Sequence, residues 1–158
     1  MKLLDFVVTD ALIADLDATE RDDAIHEVID SLIAAGAAPK AIRDELVAQI
    51  LEREKHGSTG FGKGVAVPHV KHEKIKKMAA AIAVSQKGVD FNALDKAPVY
   101  AIVMLLSPKD KPDEHLQAME NIFSNLQKDQ FRKFLRQATT CQAIEELLHE
   151  ADTQQLSS

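Results

Sequence analysis

Apolar residues recur at helical spacing in two early segments of the chain. Thr19 and Asp22 are spaced as in a capping box, and Gly36 follows the first apolar stripe, so we predict a helix between them. The second stripe follows Pro39, which the start of a helix tolerates, and it ends before Gly57. The apolar positions are Ile25, Val28, Ile29, Leu32 and Ile33 in the first helix, and Ile42, Leu46, Val47, Ile50 and Leu51 in the second.

Three segments in the middle of the chain have the pattern of β-strands. They are VAVPH, MAAAIAVS from Met78 and PVYAIVMLLS from Pro98, and turn residues follow each of them. The third is almost entirely apolar, which is typical of a strand in the centre of a sheet. Between the last two, QKGVDFNALDKA contains Gly88 and two aspartates and predicts a turn with a short edge strand. We therefore expect a mixed or parallel sheet.

A third helix is predicted after the loop SPKDKPDEH. Pro112 or Asp113 would begin this helix, and His115 would lie in its first turn. Two shorter helices are predicted at 130–137 and 140–151. The apolar face of the third helix contains Leu116, Met119, Ile122, Phe123 and Leu126.

The order of these elements predicts the fold class. Helices precede and follow the strands, so we expect an α+β fold, a three-layer α/β/α sandwich whose mixed β-sheet is covered by helices on both faces. The length of 158 residues is that of one ordinary domain. We expect a single domain over residues 1–151 and a disordered polar tail over 152–158.

Composition and charge exclude several classes of function. Hydrophobic residues make up 46% and charged residues 28%, which indicates a folded chain. The net charge of −6 argues against nucleic-acid binding, which needs a basic face. The beginning of the chain lacks the features of a signal peptide, and no apolar run is long enough to span a bilayer. With Cys141 as the only cysteine, we expect a cytoplasmic protein that does not insert into membranes.

The segment 57–64, GSTGFGKG, resembles the start of a nucleotide-binding loop. Gly57, Gly62 and Lys63 fit the pattern G-x-x-x-x-G-K-[ST], but Gly64 stands where the magnesium-binding hydroxyl belongs. Such a loop also needs a strand before the glycines and a helix after them, whereas the predicted order here is the reverse. We therefore reject a nucleotide site.

A histidine follows this loop at the end of the predicted strand. Pro68 fixes φ and removes a donor, so it helps to end the strand and to fix the direction in which His69 emerges. Taken alone, His69 is either a half-buried residue at a strand end or a nucleophile. His69 and His72 form H-x-x-H with His56 nearby, but a zinc site would lack a third convincing ligand, so we predict no metal.

Longer stretches of the sequence carry a family resemblance. Arg53 and Glu54, then GSTGFGKGVAVPH, then GVDFNALDKAPVYAIVMLLSPKDKPDEHL resemble the enzyme IIA domain of the mannitol/fructose type. This domain belongs to the bacterial phosphoenolpyruvate:sugar phosphotransferase system, and the same family includes the nitrogen-regulatory IIA proteins. The resemblance extends over about residues 3–148. The GST-type loop is more similar to fructose and nitrogen-regulatory members than to mannitol members.

The resemblance implies a phosphocarrier that uses no cofactor. His69 would be the phosphorylated histidine, and Arg53 and His115 would stabilise the phosphate. HPr or its nitrogen-branch counterpart would donate the phosphoryl group, and an enzyme IIB would receive it. Alternatively, the phosphorylation state of His69 would control binding to transporters, kinases or other regulatory targets. Docking of successive partners would need an apolar surface, to which Phe61 would contribute.

These residue types suit phosphoryl transfer between proteins. A neutral imidazole nitrogen can attack phosphorus, and the site then has to orient the atoms and stabilise charge. Arg53 offers a permanent charge with paired donors, or is a solvated charge in the run EREKH. His115 would lie near the positive end of a helix dipole, which favours phosphate, or is a surface histidine. Ser58 and Thr59 either donate to the phosphate or shape the turn.

One position departs from the family pattern. Family members usually carry glycine directly after the active histidine, whereas this chain has Val70. The β-branched side chain of valine tolerates positive φ poorly. We therefore expect the backbone beside His69 to differ from that of other members.

Overall fold

The computed structural model describes residues 1–153, and within them five α-helices surround four β-strands. The helices are α1 (Arg21–Ala34), α2 (Arg43–Lys55), α3 (Pro112–Leu126), α4 (Asp129–Gln137) and α5 (Cys141–Asp152). The strands are β1 (Val65–Ala66), β2 (His69–His72), β3 (Ala79–Val89) and β4 (Val99–Pro108). Short 3₁₀ helices occupy Leu3–Asp5, Thr9–Ala11 and Lys40–Ile42. No helix in this range is both long and apolar enough to cross a bilayer.

Strand β4 lies at the centre of a mixed sheet. It pairs antiparallel with β3 along one edge. Along its other edge β1 and then β2 pair in parallel, with His69 opposite Leu105. Because the register with β4 is the same for β1 and β2, they act as one strand interrupted at Val67 and Pro68. The prediction of a mixed sheet with an apolar central strand is confirmed.

Alternation along the strands builds two separate cores. Ala79, Ala81 and Ala83 of β3 face α1 and α2, and their small side chains leave room for the fully buried isoleucines and leucines of these helices. The intervening residues Ala80 and Ile82 face α3, α4 and α5. Helices therefore cover both faces of the sheet, and the predicted three-layer α+β sandwich is confirmed.

Three local predictions are wrong. The N-cap of α1 is Glu20 and has no side-chain cap, because Glu20 forms an isolated bridge with Asp90, in which the Thr19 carbonyl accepts the Asp90 N–H. QKGV belongs to β3 itself, so among residues 79–108 no separate edge strand forms there. Asp152 ends α5, and its carboxylate accepts the Leu3 N–H at 2.7 Å, so the predicted disordered tail begins too early. The remainder of that tail, 154–158, lies outside the described residues.

Candidate functional site

His69 and His115 come together although 46 positions separate them in the sequence. His69 begins β2 beside Leu105 of β4, and β4 leads through a short loop into α3, which carries His115. The two ring centroids are 5.7 Å apart, with an angle of 52° between the ring planes. His69 is half-buried, whereas His115 is 8% exposed. The fold thus brings these two predicted site residues close together.

The proton on the His69 ring is fixed by a backbone carbonyl. Its Nδ1 lies 2.8 Å from the Val67 oxygen. A carbonyl only accepts hydrogen bonds, so Nδ1 carries the proton and Nε2 of the neutral ring keeps a lone pair. The carbonyl is held in place because the Val67 N–H donates to Thr59 and the Pro68 oxygen accepts from Leu105. The interruption between β1 and β2 therefore sets the chemistry of His69, which begins a strand and does not end one as predicted.

His115 is a neutral imidazole bound to a buried serine. Its Nδ1 lies 2.6 Å from Oγ of Ser107, which is wholly buried in β4. Burial of the ring, followed by the nearby charges of His69 and Lys71, lowers the His115 pKa to about 4. Sequence reasoning missed Ser107. The available signal was that it is the only polar residue in the run AIVMLLS.

Arg53 lies in the last turn of α2 and reaches residues 57–64, which we call the glycine loop. Its guanidinium donates to the Gly57 carbonyl at 2.8 Å, and the side chain is exposed. Over the described part of the chain, this is the hydrogen bond that the guanidinium makes, and it forms none with either histidine ring. The predicted cation is thus carried by α2 on a long, exposed side chain, and a hydrogen bond links its guanidinium to the loop.

The loop's own polar groups mostly hold the loop. Oγ of Ser58 accepts the Gly60 N–H at 3.0 Å, and the Thr59 N–H donates to a carboxylate oxygen of Glu54 at 3.0 Å. Glu54 is 4% exposed, and its second oxygen is buried without a hydrogen-bond partner among residues 1–153, as is Oγ1 of Thr59. Sequence reasoning missed this carboxylate, although Glu54 stands in the motif beside Arg53.

The loop's glycines serve close packing. A Cβ on Gly60 would lie 3.0 Å from Cβ of Ala93, which is too close for an ordinary contact. Gly64 takes a φ of 76°, and its carbonyl accepts the N–H groups of Tyr100 and Ala101. Helix α2 enters this loop and β1 leaves it, the reverse of a nucleotide-binding loop. The rejection of a nucleotide site is consistent with this order.

Val70 and His72 follow His69 in β2, and both side chains point to the opposite face of the sheet. Val70 has extended backbone and packs into the core on the α1 and α2 side, so glycine is not required at this position. His72 is buried on the same side, with Nε2 3.2 Å from Glu45. His69 and His72 therefore cannot share a metal ion, and no cluster of three or more possible ligands occurs in residues 1–153.

Apolar side chains lie along α3 and meet the glycine loop. Phe61 of the loop packs against Phe123 with ring centroids 5.2 Å apart. Met119 is half-buried, and Leu116 is 58% exposed. His115, Met119 and Phe123 follow one helix face at intervals of four residues. We call Phe61, Leu116, Met119 and Phe123 the apolar rim.

Known proteins resemble this chain over most of its length. It is 32% identical over 130 residues to the PTS system fructose-specific EIIA component of Haloferax volcanii, covering 82% of this chain and 83% of that protein. It is 32% identical over 150 residues to the nitrogen regulatory protein of Bradyrhizobium diazoefficiens, covering 94% and 95% respectively. A match of 28% identity to the fructose-specific EIIABC component of Bacillus subtilis covers 96% of this chain but only 24% of that protein.

Solved structures share the fold. Nitrogen regulatory protein IIA-Ntr from Neisseria meningitidis superposes with a TM-score of 0.81 at 24% identity, covering 91% of this chain and 97% of that one. Enzyme IIA of the mannitol system of Escherichia coli, solved in complex with phosphorylated enzyme IIB, gives a TM-score of 0.74 at 20% identity, covering 89% and 94%.

A family model agrees with these similarities. The model for the phosphoenolpyruvate-dependent sugar phosphotransferase system, EIIA 2, matches residues 6–151, nearly the whole described chain. Relatives with sugar-specific and with nitrogen-regulatory names both align over most of its length. The chain therefore belongs to the EIIA 2 family of the phosphoenolpyruvate-dependent sugar phosphotransferase system.

Proposed function

We propose that this chain is a phosphocarrier in which Nε2 of His69 accepts a phosphoryl group. The donor is phosphorylated HPr or its nitrogen-branch counterpart, and the acceptor is an enzyme IIB in the cytoplasm. The observation that supports this most is the bond from His69 Nδ1 to the Val67 carbonyl, which leaves Nε2 as the nucleophilic nitrogen. Membership of a phosphoryl-transferring family supports the same reaction class.

The transfer exchanges one N–P bond for another. The lone pair of His69 Nε2 attacks the phosphorus of the donor's phosphohistidine, and the donor ring recovers the electron pair of the bond that breaks. No proton has to leave His69, because Nδ1–H stays bonded to Val67 while the ring becomes positive. The carbonyl therefore stabilises the phosphorylated ring, and the reverse sequence of bond changes passes the group to enzyme IIB.

Two further residues stabilise the phosphoryl oxygens in this proposal. Burial keeps His115 neutral. The ring can therefore donate a hydrogen bond to the phosphate without the desolvation cost of a buried positive charge. Arg53 exchanges its bond to Gly57 for a bond to the phosphate, since its side chain is exposed and its guanidinium has further free donors. Ser58 and Thr59 shape the loop in this proposal, because Ser58 accepts the Gly60 N–H and the Thr59 N–H donates to Glu54 at the end of α2.

The apolar rim is where the partners dock. Two proteins that bind in turn need one adaptable surface, and Leu116, Met119 and Phe123 supply apolar contact area on the helix that carries His115. A solved relative of this fold carries enzyme IIB as its partner. This likeness supports enzyme IIB as the receiving partner here.

A regulatory role is the second candidate. The observation in its favour is the alignment with a nitrogen regulatory protein over 94% of this chain and 95% of that protein. In this role the phosphorylation of His69 changes which transporter, kinase or other protein is bound, and onward transfer is not needed. Both roles require phosphorylation of the same residue.

One reconstitution tests the proposal. The protein is mixed with labelled phosphoenolpyruvate, enzyme I and HPr, and we expect an acid-labile, base-stable label that His69→Ala lacks. His149→Ala, which removes an exposed histidine of α5, is the matched control and keeps the label. An unlabelled native protein contradicts the phosphocarrier proposal. Adding enzyme IIB then separates the two roles, since discharge of the label favours transport and retention favours regulation.

A further inference from the structure

Ser107 is buried at the carboxyl end of β4 and bonded to His115. Its exposed fraction is 0%, and its Oγ lies 2.6 Å from His115 Nδ1. It pairs with Lys71 in the register of the sheet, and alternation from Leu105 turns its side chain toward α3. A polar side chain in such an apolar strand needs a hydrogen-bond partner, and His115 is that partner.

The bond between these two side chains has two possible directions. If His115 Nδ1–H donated to Oγ, the serine hydroxyl proton would be buried with no acceptor among the contacts of the described residues. If the hydroxyl donates to Nδ1, both groups are satisfied and the ring carries its proton on Nε2. Unpaired buried donors are disfavoured, so the second direction is the stable one.

We propose that Ser107 is a positioning residue that fixes His115 as the Nε2–H tautomer. This inference rests on the proposed function for its consequence: His115 then presents a hydrogen-bond donor, and not a lone pair, to the phosphoryl oxygens on His69. A lone pair at that position would repel a phosphate. The two histidines thus have complementary tautomers, with the His69 proton on Nδ1 and the His115 proton on Nε2.

The unphosphorylated protein provides the first test. Nitrogen-15 NMR of the imidazole rings distinguishes a protonated from an unprotonated ring nitrogen at neutral pH. We expect Nδ1 of His115 to be unprotonated and Nε2 to be protonated in the native protein. A protonated Nδ1 would overturn the proposal. This result does not depend on phosphoryl transfer, so it separates failure of the inference from failure of the proposed function.

Substitution of the serine provides the second test. Ser107→Ala removes the donor, and we expect a mixture of His115 tautomers and a phosphoryl acceptance rate reduced by about 2- to 10-fold. Ser107→Thr keeps the hydroxyl and restores the tautomer. The matched control is Ser85→Ala, which removes a buried serine of β3 whose Oγ accepts the Gly88 N–H. An unchanged tautomer in folded Ser107→Ala contradicts the inference; if that variant does not fold, the native tautomer decides.

Discussion

His69 and His72 lie on the same short strand, but their side chains point to opposite faces of the sheet and form different hydrogen bonds. Alternation along β2 turns His69 toward α3 and His72 toward α2. His72 uses both ring nitrogens, since Nδ1 accepts the Lys74 N–H at 2.9 Å and Nε2 contacts Glu45 at 3.2 Å. Among the described residues, His69 forms a hydrogen bond only through Nδ1, because the strand interruption leaves the Val67 carbonyl within reach. In the proposed function, this unbonded Nε2 is the reason that His69, and not His72, accepts the phosphoryl group.

Replacing each of these histidines gives the largest contrast. We expect His69→Ala to lower phosphoryl acceptance by on the order of a thousandfold or more, because the nucleophile is lost. His72→Ala keeps acceptance but lowers the free energy of unfolding by about 1–3 kcal/mol, because a buried side chain and its hydrogen bond to the Lys74 N–H are lost. Labelling rates and urea denaturation measure the two effects. Equal loss of acceptance in both folded variants would remove the distinction.

The stability of the folded protein depends on pH through His115, which lies near His69 and Lys71. Its pKa is about 4 in the folded protein and near 6.5 in an unfolded chain. Between these values the unfolded chain binds the extra proton, so acid favours unfolding. Above pH 6.5, His115 is neutral in both states and does not lower the free energy of unfolding. As the pH falls from 6.5 toward 4, proton uptake by the unfolded chain lowers the free energy of unfolding by up to about 3 kcal/mol.

Urea denaturation between pH 4 and pH 7 measures this dependence. His115→Asn removes the titrating group, and we expect the loss of stability between pH 6.5 and 4 to become smaller in that variant. His149→Asn replaces an exposed histidine of α5 and is the control, with the slope of the native protein. An identical slope in His115→Asn would show that His115 does not titrate with a lowered pKa.

Replacing Arg53 tests whether the end of α2 supplies the cation that stabilises the phosphate. We expect Arg53→Ala to slow phosphoryl acceptance by about 10- to 100-fold, because a charge-assisted hydrogen bond to the phosphate is lost. Arg53→Lys keeps the charge and recovers part of the rate. Arg43→Ala is the control on the same helix, where the guanidinium pairs with Asp30 on the far side of the sheet from His115. A native rate in Arg53→Ala would exclude the assigned role.

Glu54 gives the smallest expected effect on transfer and a clear one on stability. Glu54→Ala leaves the Thr59 N–H without its partner, and we expect a loss of about 1–3 kcal/mol in the free energy of unfolding. Glu54→Gln retains an acceptor oxygen and recovers most of this loss. Glu52→Ala changes an exposed carboxylate of the same helix and is the control in the same denaturation experiment. Equal stability of Glu54→Ala and Glu52→Ala would contradict the role of this buried carboxylate.

Local periodicity predicted most of the fold. The stripes of α1, α2 and α3 and the apolar run of β4 each lie within one element, so the sequence alone reveals them. The N-cap of α1 was missed because Thr19 is engaged by Asp90, a partner 71 residues away. Ser107 and Glu54 were missed for a different reason. Their partners, His115 and Thr59, are near in sequence, but the bonds depend on how the chain turns between β4 and α3 and after α2.

The nitrogen that carries the phosphoryl group shows whether Nε2 of His69 is the nucleophile. The protein is phosphorylated with phosphoenolpyruvate, enzyme I and HPr, and nitrogen-15 and phosphorus-31 NMR then identify the bonded nitrogen. We expect a single phosphoryl group on Nε2 of His69, with Nδ1 still protonated and donating to the Val67 carbonyl. A phosphoryl group on Nδ1 of His69, on His72 or on His115 would contradict it.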